Sequence, residues 1–137
     1  MDRIYNSCKY EFEFDGGNWR MQQRILFAED EPISRKLISM FLRREGYEVD
    51  EAKDGAEALD LLNNFRFDLL ISDIRLPRVD GIALILRLRF ISPDTPFIVL
   101  TSYPDDALDV SKMPKSLIIG KPVIFENLKS NIQRLLN

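Results

Sequence analysis

Histidine is missing from this 137-residue chain. Its absence excludes histidine-based zinc sites, Ser-His and Cys-His nucleophilic catalysis, and any phosphohistidine carried by the chain itself. Cysteine occurs once, at Cys8, so no disulfide can close within the chain. Nowhere is there a run approaching the ~20 apolar residues that span a bilayer, and the opening Met1-Asp2-Arg3 leads into no apolar signal segment. A basic excess is missing too. Lys and Arg number 19 against 22 Asp and Glu, a formal charge of −3, so no global positive field favours nucleic acid or an anionic membrane. The local candidates for DNA contact, Arg43-Arg44 and Arg87-Leu88-Arg89, fall on helical stretches and read as solvated faces. A cytoplasmic protein with no membrane insertion and no direct nucleic-acid contact is the expectation.

What is present is enough for one core: 45% of residues are apolar and 10% aromatic, in a length that fits a single domain. Residues 1–22 differ from the rest and read as an N-terminal extension, with the domain proper over 23–137. Within the extension Tyr10-Glu11-Phe12-Glu13-Phe14 alternates apolar and acidic residues. The alternation fits an added edge strand or a homodimer contact, and a mobile tail is the plainer reading. Met21 is an alternative initiator.

From Arg24 onward strand and helix patterns alternate. Ile25–Ala28 reads as a buried strand. Pro32 suits the first turn of a helix whose inward residues are expected to be Ile33, Leu37, Phe41 and Leu42, ending at Gly46. A strand over Tyr47–Ala52 and a helix carrying Ala58, Leu59 and Leu62 follow. Phe67–Ser72 is nearly all apolar, as in a strand buried on both faces. Next come a helix with Leu84, Ile85 and Leu88, a strand over Phe97–Leu100, a strand over Leu117–Ile119, and a last helix from about Phe125 presenting Leu128, Ile132 and Leu135. Between Asp105 and Lys115 there is room only for a short helix near Ala107-Leu108, interrupted by Met113-Pro114. The alternation predicts an α/β fold: a doubly wound, five-stranded parallel sheet of the flavodoxin-like (βα)5 type.

Four polar groups sit where successive strands end: Glu29-Asp30, Asp73, Thr101 and Lys121. In an open parallel sheet these ends share one edge, where ligands bind. Three carboxylates brought together repel, and a hard cation with oxygen ligands, Mg2+ first among them, relieves the repulsion. A lysine and a threonine hydroxyl beside them suit a phosphoryl group. One carboxylate is also a candidate nucleophile, since aspartate can form an acyl phosphate.

Four stretches carry a family resemblance: Ile25-Leu26-Phe27-Ala28-Glu29-Asp30-Glu31-Pro32, Asp68–Gly81, Val99-Leu100-Thr101-Ser102-Tyr103, and Gly120-Lys121-Pro122. In their order and spacing residues 24–137 resemble the receiver domain of two-component response regulators. The resemblance implies that Asp73 is the phosphoacceptor, that Glu29, Asp30, Asp73 and the backbone carbonyl of Arg75 hold Mg2+, that Thr101 bonds a phosphoryl oxygen, and that Lys121 pairs with phosphate or a carboxylate. The family often has a cis bond at the position of Lys121-Pro122. It further implies a sensor histidine kinase or histidine phosphotransfer protein as donor, a downstream protein as target, and a switch rather than a turnover enzyme. The loop Leu76–Gly81 reads as structural, with Gly81 allowing a tight backbone and Asp80 capping a helix.

Three departures qualify the resemblance. The acid pair is Glu-Asp, and the added methylene of Glu29 is expected to move its carboxylate outward, reaching Mg2+ through water. Ile118 stands where many receivers place a switch Tyr or Phe. The stretch between Thr101 and Lys121 is short and contains Pro114, which suggests an atypical single-domain receiver with a degenerate fourth helix. Arg75 and Tyr103 flank the pocket and are candidates for controlling water access and phosphate lifetime, while the loop Ser102–Lys115 is the segment expected to change on phosphorylation. With nothing following Asn137, the chain is expected to signal by binding partners or passing phosphate, unless it is cut from a larger regulator. Two rivals remain: a pseudo-receiver that docks without phosphorylation, and a haloacid dehalogenase-type phosphatase, against which Arg75 occupies the place of the required second acid.

Overall fold

The computed structural model describes residues 3–5, 11–15 and 18–137. Cys8, Gly16-Gly17 and Tyr10 of the alternating stretch lie outside the described residues. Three short strands, β1 (Arg3–Tyr5), β2 (Glu11–Asp15) and β3 (Asn18–Met21), pair antiparallel in a sheet of their own, order β1-β2-β3. β2 therefore does not extend the edge of the main sheet.

The main sheet has five parallel strands: β4 (Arg24–Ala28), β5 (Glu48–Ala52), β6 (Leu69–Ser72), β7 (Phe97–Thr101) and β8 (Ser116–Gly120), in the order β5-β4-β6-β7-β8. The chain reverses its direction of travel across the sheet between β4 and β6. Ligands of such sheets bind at that switch point, outside the carboxyl ends of the strands. All residues of β6 and β7 are buried, as continuous apolar runs require when helices cover both faces.

α1 (Pro32–Arg44) and α5 (Phe125–Leu136) cover one face, packing Ile38, Leu42, Leu128 and Ile132 onto Ile25, Phe27, Leu69, Ile71, Ile98 and Leu100. α2 (Gly55–Asn64) and α3 (Gly81–Ile91) cover the other, packing Ala58, Leu62, Leu84, Ile85 and Leu88 onto Leu26, Leu70, Phe97 and Val99. The predicted inward face of α1 is corrected in part: Leu42 is buried and Phe41 half-buried as expected, but Ile33 is 70% and Leu37 52% exposed, and Ile38 is buried in their place. Two apolar stripes run along this helix, and docking on the sheet selects the one that carries Ile38 and Leu42. The Glu31 carboxylate accepts from the amides of Ile33 and Ser34, at 3.2 and 2.7 Å.

The fourth helix is reduced to a 3-10 turn, η1 (Pro104–Ala107), and a single four-residue turn, α4 (Leu108–Ser111). Ala107 and Val110 anchor it in the core. Among the described residues no helix is long and apolar enough to cross a membrane. Three of the four arginines weighed as nucleic-acid contacts, Arg43, Arg87 and Arg89, are engaged within the fold. Arg43 donates to the Val49 carbonyl and pairs with Glu51, Arg87 donates to Asn63, and Arg89 reaches the carbonyls of Pro93, Thr95 and Pro114.

Candidate functional site

The carboxyl ends of four strands build the site. β4 delivers Glu29 and Asp30, whose loop is held by Arg35 donating to the carbonyls of Glu29 (2.8 Å) and Asp30 (3.3 Å). β6 delivers Asp73, whose amide continues the ladder to the Ala28 carbonyl at 3.1 Å. β7 ends at Thr101, fully buried, and β8 leads to Lys121, whose amide bonds the Thr101 carbonyl at 2.8 Å.

These placements bring Glu29, Asp30 and Asp73 together, with one carboxylate oxygen of each lying within 4.8 Å of the others. Lys121 Nζ bridges two of them, 2.6 Å from Glu29 Oε1 and 2.7 Å from Asp73 Oδ2. The outward carboxylate expected of Glu29 is corrected. Its side chain is 2% exposed, and its second oxygen accepts from the Glu31 amide at 3.3 Å. The added methylene carries the carboxylate toward Lys121 rather than toward water.

Burial pushes the Glu29 carboxyl above its ordinary value, and the pull of Lys121 offsets this only in part. For Lys121 burial works in the opposite direction, against the charge. The hydrogen bonds to Asp73 and Glu29 outweigh it, so the ammonium is held above its ordinary value. The lysine is charged while it bridges the two acids.

Thr101 lies on the same edge but contacts none of the carboxylates. Its Oγ1 accepts from the Tyr103 amide at 3.0 Å, which leaves its own proton available for donation. Asp73 is fixed from behind by the close approach of α3. A Cβ on Gly81 would stand 2.1 Å from the Asp73 carbonyl oxygen and 2.8 Å from Ile74 Cα. Only glycine fits, and Asp80 caps the helix start by accepting from the Ala83 amide at 2.8 Å.

Arg75 donates its amide to Asp73 Oδ1 at 3.1 Å, while its side chain turns away toward η1. Its guanidinium lies 3.6 Å from the centre of the Tyr103 ring, and its Nε is 2.8 Å from Asp106 Oδ2. The sequence pointed to Arg75 and Tyr103 as flanking groups. Asp106 as their partner was missed, as were Glu31 and Arg35 as supports of the acid pair. The adjacent acids Asp105-Asp106 were visible, but nothing in their spacing says which one meets an arginine 31 residues away. Ile118, in place of a switch aromatic, is half-buried and packs against the core beneath α4. The Lys121-Pro122 peptide is cis.

Comparison with known proteins places this arrangement. The response regulator receiver domain family matches residues 25–133. The transcriptional regulatory protein GlrR of Escherichia coli (strain K12) is 36% identical over 101 residues, 72% of this chain and 23% of that protein. The response regulator MprA of Mycobacterium sp. (strain KMS) is 34% identical over 118 residues, 85% of this chain and 51% of that protein. The chain thus spans about half or less of the length of these curated relatives. Among solved structures, response regulator protein TrrA from Thermotoga maritima, determined in complex with Mg2+-BeF, is 35% identical, with a TM-score of 0.77 over 84% of this chain and 100% of that one. The five-stranded parallel sheet and its covering helices are those of a CheY-like receiver. By sequence and by fold alike, the chain belongs to the response regulator receiver domain family.

Proposed function

We propose that Asp73 accepts a phosphoryl group from a phosphohistidine donor in a Mg2+-dependent reaction, and that the phosphorylated protein signals by contact with a downstream protein. The observation that carries this reading is the Lys121 ammonium at 2.7 Å from Asp73 Oδ2, beside the clustered carboxylates of Glu29 and Asp30. Three carboxylates and one ammonium leave two negative charges, matching one divalent cation. The donor set is all oxygen, which suits a hard ion: Glu29, Asp30, Asp73 and the backbone carbonyl of Arg75 are the residues to hold it. Mg2+ bound there supplies positive charge for the oxygens of the transferring phosphoryl group.

The chain's own groups do the rest. A carboxylate oxygen of Asp73 forms the new P–O bond as the donor's P–N bond breaks, and the departing imidazole takes its proton from solvent. Lys121 is within reach of a phosphoryl oxygen once it gives up its bond to Asp73. Thr101 donates its hydroxyl proton to another such oxygen. Loss of the phosphoryl group to water resets the switch. The family is one of signalling switches, and receiver domains pair with histidine kinases and phosphotransfer proteins. We assign this activity to residues 23–137 and treat 1–22 as an extension.

Intact-protein mass tests the reading. With acetyl phosphate and Mg2+ the chain should gain one phosphoryl group, and the gain should vanish with a chelator or in Asp73→Asn. No gain, even from a phosphohistidine donor, would move the assignment to a docking module that never carries phosphate.

A further inference from the structure

The short fourth-helix segment is tied to the pocket by two contacts. One is the Arg75 guanidinium, stacked on Tyr103 and paired with Asp106. The other is the Tyr103 amide, bonded to Thr101 Oγ1. Both run back to residues that border Asp73. Beyond them, η1 and α4 have little to hold them. A 3-10 turn followed by four helical residues forms no autonomous helix. Buried Ala107 and Val110 supply the remaining anchorage, while Leu108 on the outer side is 61% exposed.

Resting on the reading of Asp73 as phosphoacceptor, we infer that Arg75 is a positioning residue that couples the pocket to residues 104–111. It latches the segment through Asp106 and Tyr103 when Asp73 is free, and exchanges Asp106 for phosphoryl oxygens when Asp73 is phosphorylated. The chemistry favours the exchange. A phosphoryl group brings three strong acceptor oxygens and nearly two negative charges, and guanidinium binds such groups with two parallel bonds. Asp106 engages only Nε, and among the described residues neither Nη of Arg75 has a hydrogen-bond partner. The backbone of Arg75 is already anchored at Asp73 Oδ1, so a change of side-chain rotamer delivers the guanidinium without moving the main chain. Thr101 can donate its hydroxyl proton to phosphate while Oγ1 still accepts from the Tyr103 amide, so the Arg75 latch is the tie that exchanges. With the latch released, residues 104–111 are held only by buried Ala107 and Val110 and by the Tyr103 amide at Thr101 Oγ1, and they open more readily.

Hydrogen exchange of the amides of 104–111 tests the coupling. It is read with and without beryllium trifluoride and Mg2+ as the phosphoryl mimic, in wild type, Arg75→Ala and Asp106→Ala. Intact mass after acetyl phosphate treatment is measured on the same samples. The wild-type segment should exchange roughly fivefold faster with the mimic, the scale of losing one arginine pair and its aromatic contact. Both variants should exchange at the fast rate without the mimic and show no further change with it, and Asp106→Ala should still gain the phosphoryl group. A merely structural role would slow or speed exchange without abolishing its dependence on the mimic. Wild-type exchange that ignores the mimic, while mass shows phosphorylation, would overturn the coupling alone. So would wild-type protection in Asp106→Ala. Absence of any phosphoryl gain in wild type would instead overturn the reading of the site, and the coupling with it.

Discussion

Replacing Lys121 by Met keeps the apolar stem and removes the ammonium that joins Glu29 to Asp73. The three side chains are 22%, 2% and 13% exposed, so the bridge is largely shielded from water. Removing one partner of such a buried pair costs about 3–5 kcal/mol, because the other charge is left uncompensated. Here the loss is capped, since Glu29, already raised by burial, can take up a proton instead. The low end applies, about 3 kcal/mol, which for a domain of this size lowers the melting temperature by about 10 °C. The pH window follows from the direction of the shift. The folded value of Lys121 lies above 10.5, so its contribution is fully present below 10.5 and lost as pH rises through the folded value. The deficit should therefore be complete at neutral pH. Thermal melts followed by circular dichroism, with and without Mg2+, measure it. Mg2+ should stabilise the variant more than the wild type, because the cation takes over the charge the lysine supplied. A variant melting within about 2 °C of wild type, without Mg2+ and at neutral pH, would refute the account of the bridge.

Gly81→Ala should destabilise by about 1–3 kcal/mol in urea titrations and slow phosphoryl uptake, because the new Cβ collides with the backbone of Asp73 and Ile74; wild-type values for both would show that the approach of α3 is not tight. Glu29→Gln tests the buried acid. The folded value of Glu29 lies above 4.5, so its contribution to stability is present below 4.5 and lost as pH rises through the folded value. The wild type should lose that increment as pH rises above 4.5 and the variant should not; parallel pH profiles would contradict the burial argument. On α1, Ile38→Ala should cost about 2–5 kcal/mol and Leu37→Ser less than about 0.5 kcal/mol, with the reverse ranking restoring the face first expected from the sequence.

The strand-helix alternation was legible because four of the five strands of the main sheet, all but β5, carry apolar runs that lead into a polar group, and because Pro32, Asp54 and Asp80 mark helix starts. The same strand ends made Glu29, Asp30, Asp73, Thr101 and Lys121 legible as neighbours before any distance was known. Pro114 and the short spacing likewise foretold the reduced fourth helix. The face of α1 was not legible. Ile33, Leu37 and Met40 form a helical stripe as regular as Ile38 and Leu42, and only docking on the sheet chooses between them. The inward turn of Glu29 depends on Lys121, 92 residues away. The Asp106 contact depends on where a 3-10 turn sets down beside Arg75, and local pattern encodes neither. Of the first strands, the alternation at Glu11–Phe14 coincides with β2, while β1 has three residues, too few for any period to show.

The central claim is that the acidic cluster exists to place a phosphoryl group on Asp73. Borohydride reduction of the chain after treatment with a phosphohistidine donor and Mg2+, followed by peptide mapping, tests it at the residue itself. An acyl phosphate on Asp73 is reduced to homoserine, so the account predicts homoserine at position 73 and aspartate there when Mg2+ is withheld. Homoserine at another acidic position, or aspartate at 73 under every condition, would contradict it.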